Sequence, residues 1–173
     1  MSRKILVLSL AMFFAVGLIG SAQTQKRSKN GPLECAVTRP NGVQPPTRNF
    51  GGTITYPAED HGPPPLFPGQ HAHGNGTLWT VLPVDGKILL APNRDGSISD
   101  KFMWWRSVEG TLTIEGHRVD APARHVKPDI PRGYGDTGFQ ASGITFPSEG
   151  CWQITGKVGD SALSFVVEVR AKK

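Results

Sequence analysis

Cysteine is nearly absent from this chain of 173 residues: Cys35 and Cys151 are the only two. Excess charge is also missing from the body of the protein. The whole sequence carries +5 and a pI near 9.5, but Arg3, Lys4, Lys26, Arg27 and Lys29 all precede Gly31, and from Gly31 onward 14 basic residues face 14 acidic ones. A neutral body removes the electrostatic basis for nucleic-acid binding. Beyond residue 22 no stretch keeps an apolar period of 3.6 residues, so helices are at most short. Gly-x-Ser-x-Gly, a phosphate-binding Gly-Lys-Ser/Thr loop and His-Glu-x-x-His are all lacking, and no pairing of the scattered carboxylates Asp60, Glu109 and Glu115 is legible. The expectation is a protein that is not an enzyme.

One long apolar run exists. Arg3 and Lys4 precede an uncharged stretch from Ile5 to Ile19, followed by Gly20, Ser21 and Ala22. A charged start, an apolar centre and a small-residue end predict a secretory signal peptide over residues 1–22, cut after Ala22. The run is shorter than the roughly 20 apolar residues a spanning helix needs, so no membrane span is expected after cleavage. Residues 23–31 read as a flexible polar tail and 32–173 as one domain, secreted or periplasmic. In that oxidising compartment Cys35 and Cys151 are expected to form a disulfide, which leaves no thiol nucleophile.

Glycine and proline, 21 and 15 residues, cluster between β-rich runs. Strands are predicted over Leu33–Thr38, Gly52–Tyr56, Thr77–Leu82, Lys87–Leu90, Ile98–Arg106, Thr111–Val119, Thr137–Phe146, Gly150–Lys157 and Ala162–Arg170. Asp85-Gly86 and Asp95-Gly96 suit tight hairpin turns, which predicts antiparallel neighbours. The fold class is therefore all-β, an antiparallel two-sheet sandwich with long Pro/Gly-rich loops over Arg39–Asn49, Pro57–Asn75 and Ala121–Asp136. In the terminal hairpin Leu163, Phe165, Val167 and Val169 alternate toward the core, and Trp152 and Ile154 should join them. Strict alternation then turns Cys151 outward, so the disulfide should tie the Cys35 segment across the outer face or edge of the sheet.

His71-Ala72-His73 sets two imidazoles on one side of an extended segment in a Gly-rich loop, and a third from His61, His117 or His125 would make a candidate zinc or copper site, with His61 the one taken with the pair. No acidic or cysteine ligand accompanies the His71/His73 pair. Adjacent Trp104 and Trp105 must point to opposite faces, one into the core and the other outward, and Trp79, Trp104 and Trp105 are the candidates for stacking on a sugar ring. Gly133-Tyr134-Gly135-Asp136-Thr137-Gly138 fits a dinucleotide-binding glycine pattern but opens no helix, and it reads as a flexible turn. Gly159-Asp160-Ser161-Ala162 has the wording of an esterase serine block inside a hairpin turn. Asn75-Gly76-Thr77 is a formal glycosylation acceptor.

The segments His73–Trp79, Lys101–Arg106, Gly138–Gln140 and Phe146–Trp152 together resemble a group of bacterial secreted proteins without assigned function, over about Gly74 to Val169. That resemblance implies no activity and no catalytic residues. The terminal hairpin is similar to the closing strands of immunoglobulin-like sandwiches, a likeness of architecture alone. The expected role is a non-catalytic exported domain that binds a protein partner or a cell-envelope component. Metal binding and carbohydrate binding are the alternatives.

Overall fold

The computed structural model describes residues 34–45 and 70–173. The signal peptide expected over residues 1–22, the polar tail expected over 23–31, the strand expected over Gly52–Tyr56 and His61 lie outside the described residues. Nine strands follow in order: β1 (Gln70–Gly74), β2 (Leu78–Pro83), β3 (Lys87–Leu90), β4 (Ile98–Arg106), β5 (Thr113–Arg118), β6 (Lys127–Asp129), β7 (Gly138–Phe146), β8 (Gly150–Val158) and β9 (Ser161–Ala171). No helix occurs among the described residues, and so none that could cross a membrane.

The strands make two sheets, β1-β2-β4-β7-β6 and β3-β9-β8-β5. Alternation explains the core between them. Phe102 and Trp104 from β4, Ile144 and Phe146 from β7, Trp152, Ile154 and Val158 from β8, and Leu163, Phe165, Val167 and Val169 from β9 form one buried cluster. Phe165 is its hub, 5.8 Å from Phe102 and 5.9 Å from Trp104 between ring centroids. Trp104 donates Nε1–H to Ser142 Oγ at 3.1 Å, which satisfies the one polar atom its indole brings into the core. Gly156, on the facing sheet, supplies the room for that indole: a Cβ there would lie 2.4 Å from its Cζ3.

Several sequence expectations need correction. Gly86 and Gly96 do adopt positive φ, 70° and 82°, but neither turn closes a hairpin. Each carries the chain between sheets, because β3 belongs with β9 while β2 and β4 belong to the other sheet. β3 runs parallel to β9, so not all neighbours are antiparallel. The loop expected over Pro57–Asn75 ends in β1, and the loop over Ala121–Asp136 contains β6. Both strands lie at a sheet edge, are short and lack alternating apolar residues, and β6 includes Pro128. Within Leu33–Thr38 the described residues form no strand.

Those residues instead begin a strap. Cys35 is bonded to Cys151 with 5.5 Å between Cα atoms, and Cys151 stands on the outer side of β8, next to core-facing Trp152 and outside the central cluster. From there Thr38 N–H donates to Val166 O, and Val166 N–H donates to Thr38 Oγ1, both at 2.9 Å. Gly42 N–H then donates to Ala72 O at 3.1 Å, while the Asn41 amide both donates to Gly74 O and accepts from Gly74 N–H. Val37 rests where Gly86 has no side chain. The strap thus joins β9, at Val166 beyond the stretch paired with β3, to the β1 edge of the other sheet. The covalent bridge sits outside the sandwich and closes its flank.

Candidate functional site

The loops at one end of the sandwich meet around Arg106 and Gly110. Arg106 ends β4 with only 2% of its surface exposed. Its Nη1 donates to Gly110 O at 2.8 Å and its Nη2 to Gly135 O. Burial pulls its pKa below the ordinary arginine value, and the field of Asp136 opposes that shift. Gly110 N–H donates to Asp136 O at 3.3 Å, and a Cβ on Gly110 would lie 3.2 Å from Val158 Cγ1 and 3.8 Å from Gly159 N. Only a glycine with φ 133° fits there.

A fourth loop joins the first three. Ser107 N–H donates to Thr77 O at 3.0 Å, and Asn75 Nδ2 donates to Ala162 O at 2.7 Å. Asn75 Oδ1 accepts from Thr77 N–H, Thr77 Oγ1 and Leu78 N–H. The formal glycosylation acceptor is thereby a loop bracket in the folded protein, its amide nitrogen already donating. The connections 75–77, 107–112, 130–137 and 159–160 lie at the same end of the sandwich, with Leu112 in the core, Val108 and Ile130 packed against it, and Gly, Thr, Asp, Glu and Arg prominent among the rest. Tyr134 is exposed there at 38%. Its ring sits edge-on to Phe139 at 5.9 Å, and Phe139 edge-on to Trp105 at 5.5 Å. An aromatic file therefore runs from the outer face of the five-stranded sheet up to the loop end.

Neither Arg106 nor Tyr134 is apparent as a site residue in the sequence. An arginine at a strand end reads as solvent-facing, and the glycines around Tyr134 read as a mobile turn. The one available signal is the tyrosine set between two glycines, Gly133-Tyr134-Gly135.

The three tryptophans considered for sugar stacking are buried. Trp104 is in the central core at 0% exposure, while Trp79 at 2% and Trp105 at 4% form a second cluster with Val81, flanked by Met103 and Phe139, on the outer face of the five-stranded sheet. The two adjacent indoles do face opposite ways, but none presents a free ring face. Gly74 lets Trp79 lie flat, since a Cβ there would come within 2.0 Å of the indole.

His71 and His73 lie on strand β1 rather than in a loop. Opposite Leu82 and Thr80 in register, they share its inner side. His71 is exposed, and His73 is half-buried, its ring edge-on to Phe165 at 6.5 Å. His73 Nδ1 is buried with no hydrogen-bond partner. Desolvation pulls the His73 pKa below 6.5 against the opposing effect of the Arg39 backbone. Among the described residues no third histidine, cysteine or carboxylate completes a metal cluster.

At the opposite end of β8 a charged recess of about 330 Å³ opens beside the disulfide. Gly150 and Cys151 form its floor, and Cys151 N–H donates to Asp120 Oδ1 at 3.2 Å. Arg118 grips Asp120 through Nε at 2.6 Å and Nη2 at 3.1 Å, and reaches Ser148 Oγ through Nη1 at 3.2 Å. Gly150, at φ 141°, makes space for that guanidinium, whose Nε would stand 2.3 Å from a Cβ. Across the recess Arg170 donates through Nε and Nη2 to Glu168 Oε1. The Asp120 carboxyl is held below its ordinary value, mainly by the Arg118 hydrogen bonds.

No known protein-family model matches the chain, and neither a curated protein nor a solved structure matches it.

Proposed function

We propose that this chain is an exported, non-catalytic immunoglobulin-like sandwich that binds a protein partner or a cell-envelope component through its loop end. Its place outside the cytoplasm is supported by the leader-like residues 1–22 and by the Cys35–Cys151 bridge. The immunoglobulin likeness is supported by strand order. β2-β4-β7-β6 follows the A-B-E-D order of such domains and β9-β8-β5 the G-F-C order, with β1 added at one edge and β3 laid parallel to the last strand.

The observation that carries the binding role is the convergence of three loops on Gly110 beside the buried Arg106 guanidinium, with the 75–77 loop tied to them through Ser107 and Ala162. A rigid framework that presents Gly-rich loops with an exposed tyrosine is a setting in which a recognition surface gains aromatic contact area with little ordering cost. Tyr134, braced from behind by Phe139, is the aromatic anchor of that surface. The same group of bacterial secreted proteins remains the proposed kinship.

A photo-crosslinking residue placed at Tyr134, and separately at Lys101 on the outer sheet face, tests the proposal in intact cells. The expected result is a discrete adduct from position 134 and none from position 101. Adducts at neither position, or the same adduct at both, overturn it. Turnover of ester, peptide or glycan substrates by a fold-intact preparation would overturn the non-catalytic part.

A second reading is copper or zinc binding by His71 and His73, favoured by their common side of β1 and the unpartnered Nδ1 of His73. Metal titration decides it: saturable binding that the His71→Ala/His73→Ala double variant loses supports it, and absence of such binding removes it.

A further inference from the structure

The recess beside the disulfide lies at the end of β8 remote from the loop surface. Gly150 and Val158 are separated by the length of that strand, about 25 Å. It is independent of the loop-end reading, and its own charges define what it can hold.

Two arginines and three carboxylates line it, and Lys87 stands behind Glu168 at 3.7 Å, so opposite charges alternate around a nearly neutral site. A simple anion or a simple cation would meet one repelling group for each attracting one. Part of the hydrogen-bonding capacity is already committed. Each Arg118 nitrogen donates once, to Asp120 or Ser148, and Arg170 donates through Nε and Nη2 to Glu168. Among the described residues, Arg170 Nη1, a donor, and the Glu149 carboxylate, an acceptor, make no hydrogen bond on the recess, whereas Glu168 Oε2 faces Lys87 at 3.7 Å. Arg170 and Glu149 are in electrostatic reach of each other. Arg170 is held above its ordinary pKa first by its hydrogen bond to Glu168 and, more weakly, by the fields of Glu149 and Asp120.

We infer that this recess is a binding site for a compact zwitterion, a free α-amino acid or a short peptide of like charge. The ligand carboxylate pairs with Arg170 and its ammonium with Glu149, over the Gly150–Cys151 floor. A volume of about 330 Å³ holds the charged head together with a side chain or a second residue. The disulfide and the Arg118–Asp120 pair position the floor and one wall, so the site is formed before the ligand arrives.

Titration of the intact chain with L-alanine, alaninamide and N-acetylalanine, followed by backbone amide NMR, tests the inference. L-alanine is expected to move the Gly150 and Cys151 resonances saturably. The two single-charge analogues should bind about tenfold more weakly, and so should L-alanine to Glu149→Gln or Arg170→Met, each losing one charge-assisted hydrogen bond. Both side chains are largely exposed, so the variants should keep the wild-type melting temperature. Absence of a saturable shift with L-alanine overturns the inference. So does equal affinity for either analogue, or unchanged affinity in both variants. The crosslink at Tyr134 is a separate readout, and either result can fail without the other.

Discussion

Replacing Gly156 with alanine probes the packing on which the sandwich depends. The added methyl would lie 2.4 Å from Trp104 Cζ3 and 2.5 Å from Cη2, whereas carbon atoms in contact sit about 3.5 to 4.0 Å apart. The indole has no space into which it can retreat. It is fully buried, tethered to Ser142 at 3.1 Å and packed at a tilt against Phe165, 5.9 Å between ring centroids. Gly156 lacks a positive φ, so alanine itself is unstrained there and restricts the unfolded chain, a gain of about 0.4 to 1 kcal/mol. Overpacking a tight core costs about 1 to 3 kcal/mol and sometimes more.

The clash wins, and we expect a net loss of about 2 kcal/mol, or roughly 6 °C in melting temperature. Urea unfolding followed by tryptophan fluorescence measures it. Trimming the indole in a Gly156→Ala/Trp104→Phe double variant should recover part of the loss, so the two changes are less damaging together than their sum. A Gly156→Ala protein as stable as the wild type, or strict additivity in the double variant, would refute the proposed seating of Trp104 on Gly156.

Three further outcomes are expected. Reduction of the disulfide, or Cys35→Ser with Cys151→Ser, releases a closure spanning 116 residues and should cost about 5 kcal/mol on the chain-entropy account; equilibrium unfolding with and without reductant showing a loss below about 1 kcal/mol would contradict it. His73 has its folded pKa depressed below 6.5, so the unfolded chain binds the proton more readily, and stability should fall as pH drops from 6.5 toward the folded value; the His73→Gln variant should lose that slope in melting curves between pH 7.5 and 5. Asp100 faces the core side of β4, and desolvation raises its pKa above 3.8 despite the Lys101 amide. Its ionisation therefore destabilises the fold as pH rises through and beyond 3.8, and Asp100→Asn should raise the melting temperature at pH 7 with the gain vanishing below that window; an unchanged melting temperature at pH 7 would tell against it.

Much of the architecture was legible because alternation is a local record of burial. β3 and β4 have the predicted bounds, and the phase of the terminal hairpin placed Trp152 and Ile154 inward and Cys151 outward. β1 and β6 were missed for the converse reason: an edge strand held mainly by one neighbour needs no apolar alternation. The two Asp-Gly turns show a different limit. Their positive φ follows from the dipeptide, but whether the next strand returns beside the last or crosses to the other sheet depends on partners far along the chain. β3 crosses because β9, some eighty residues later, offers it an edge.

The candidate site is the extreme case. Nothing near Arg106 in sequence announces that Gly110 and Gly135 will both present carbonyls to it, nor that Tyr134 will be braced on Phe139. Glu149 and Arg170 likewise come together only because β8 pairs with β9. By itself the sequence determined strand character, face and the direction of Cys151, since those follow from backbone stereochemistry and a period of two. Tertiary structure alone decided which loops meet, which indoles are covered and which charges share a recess, because these depend on contacts between residues that no local pattern links.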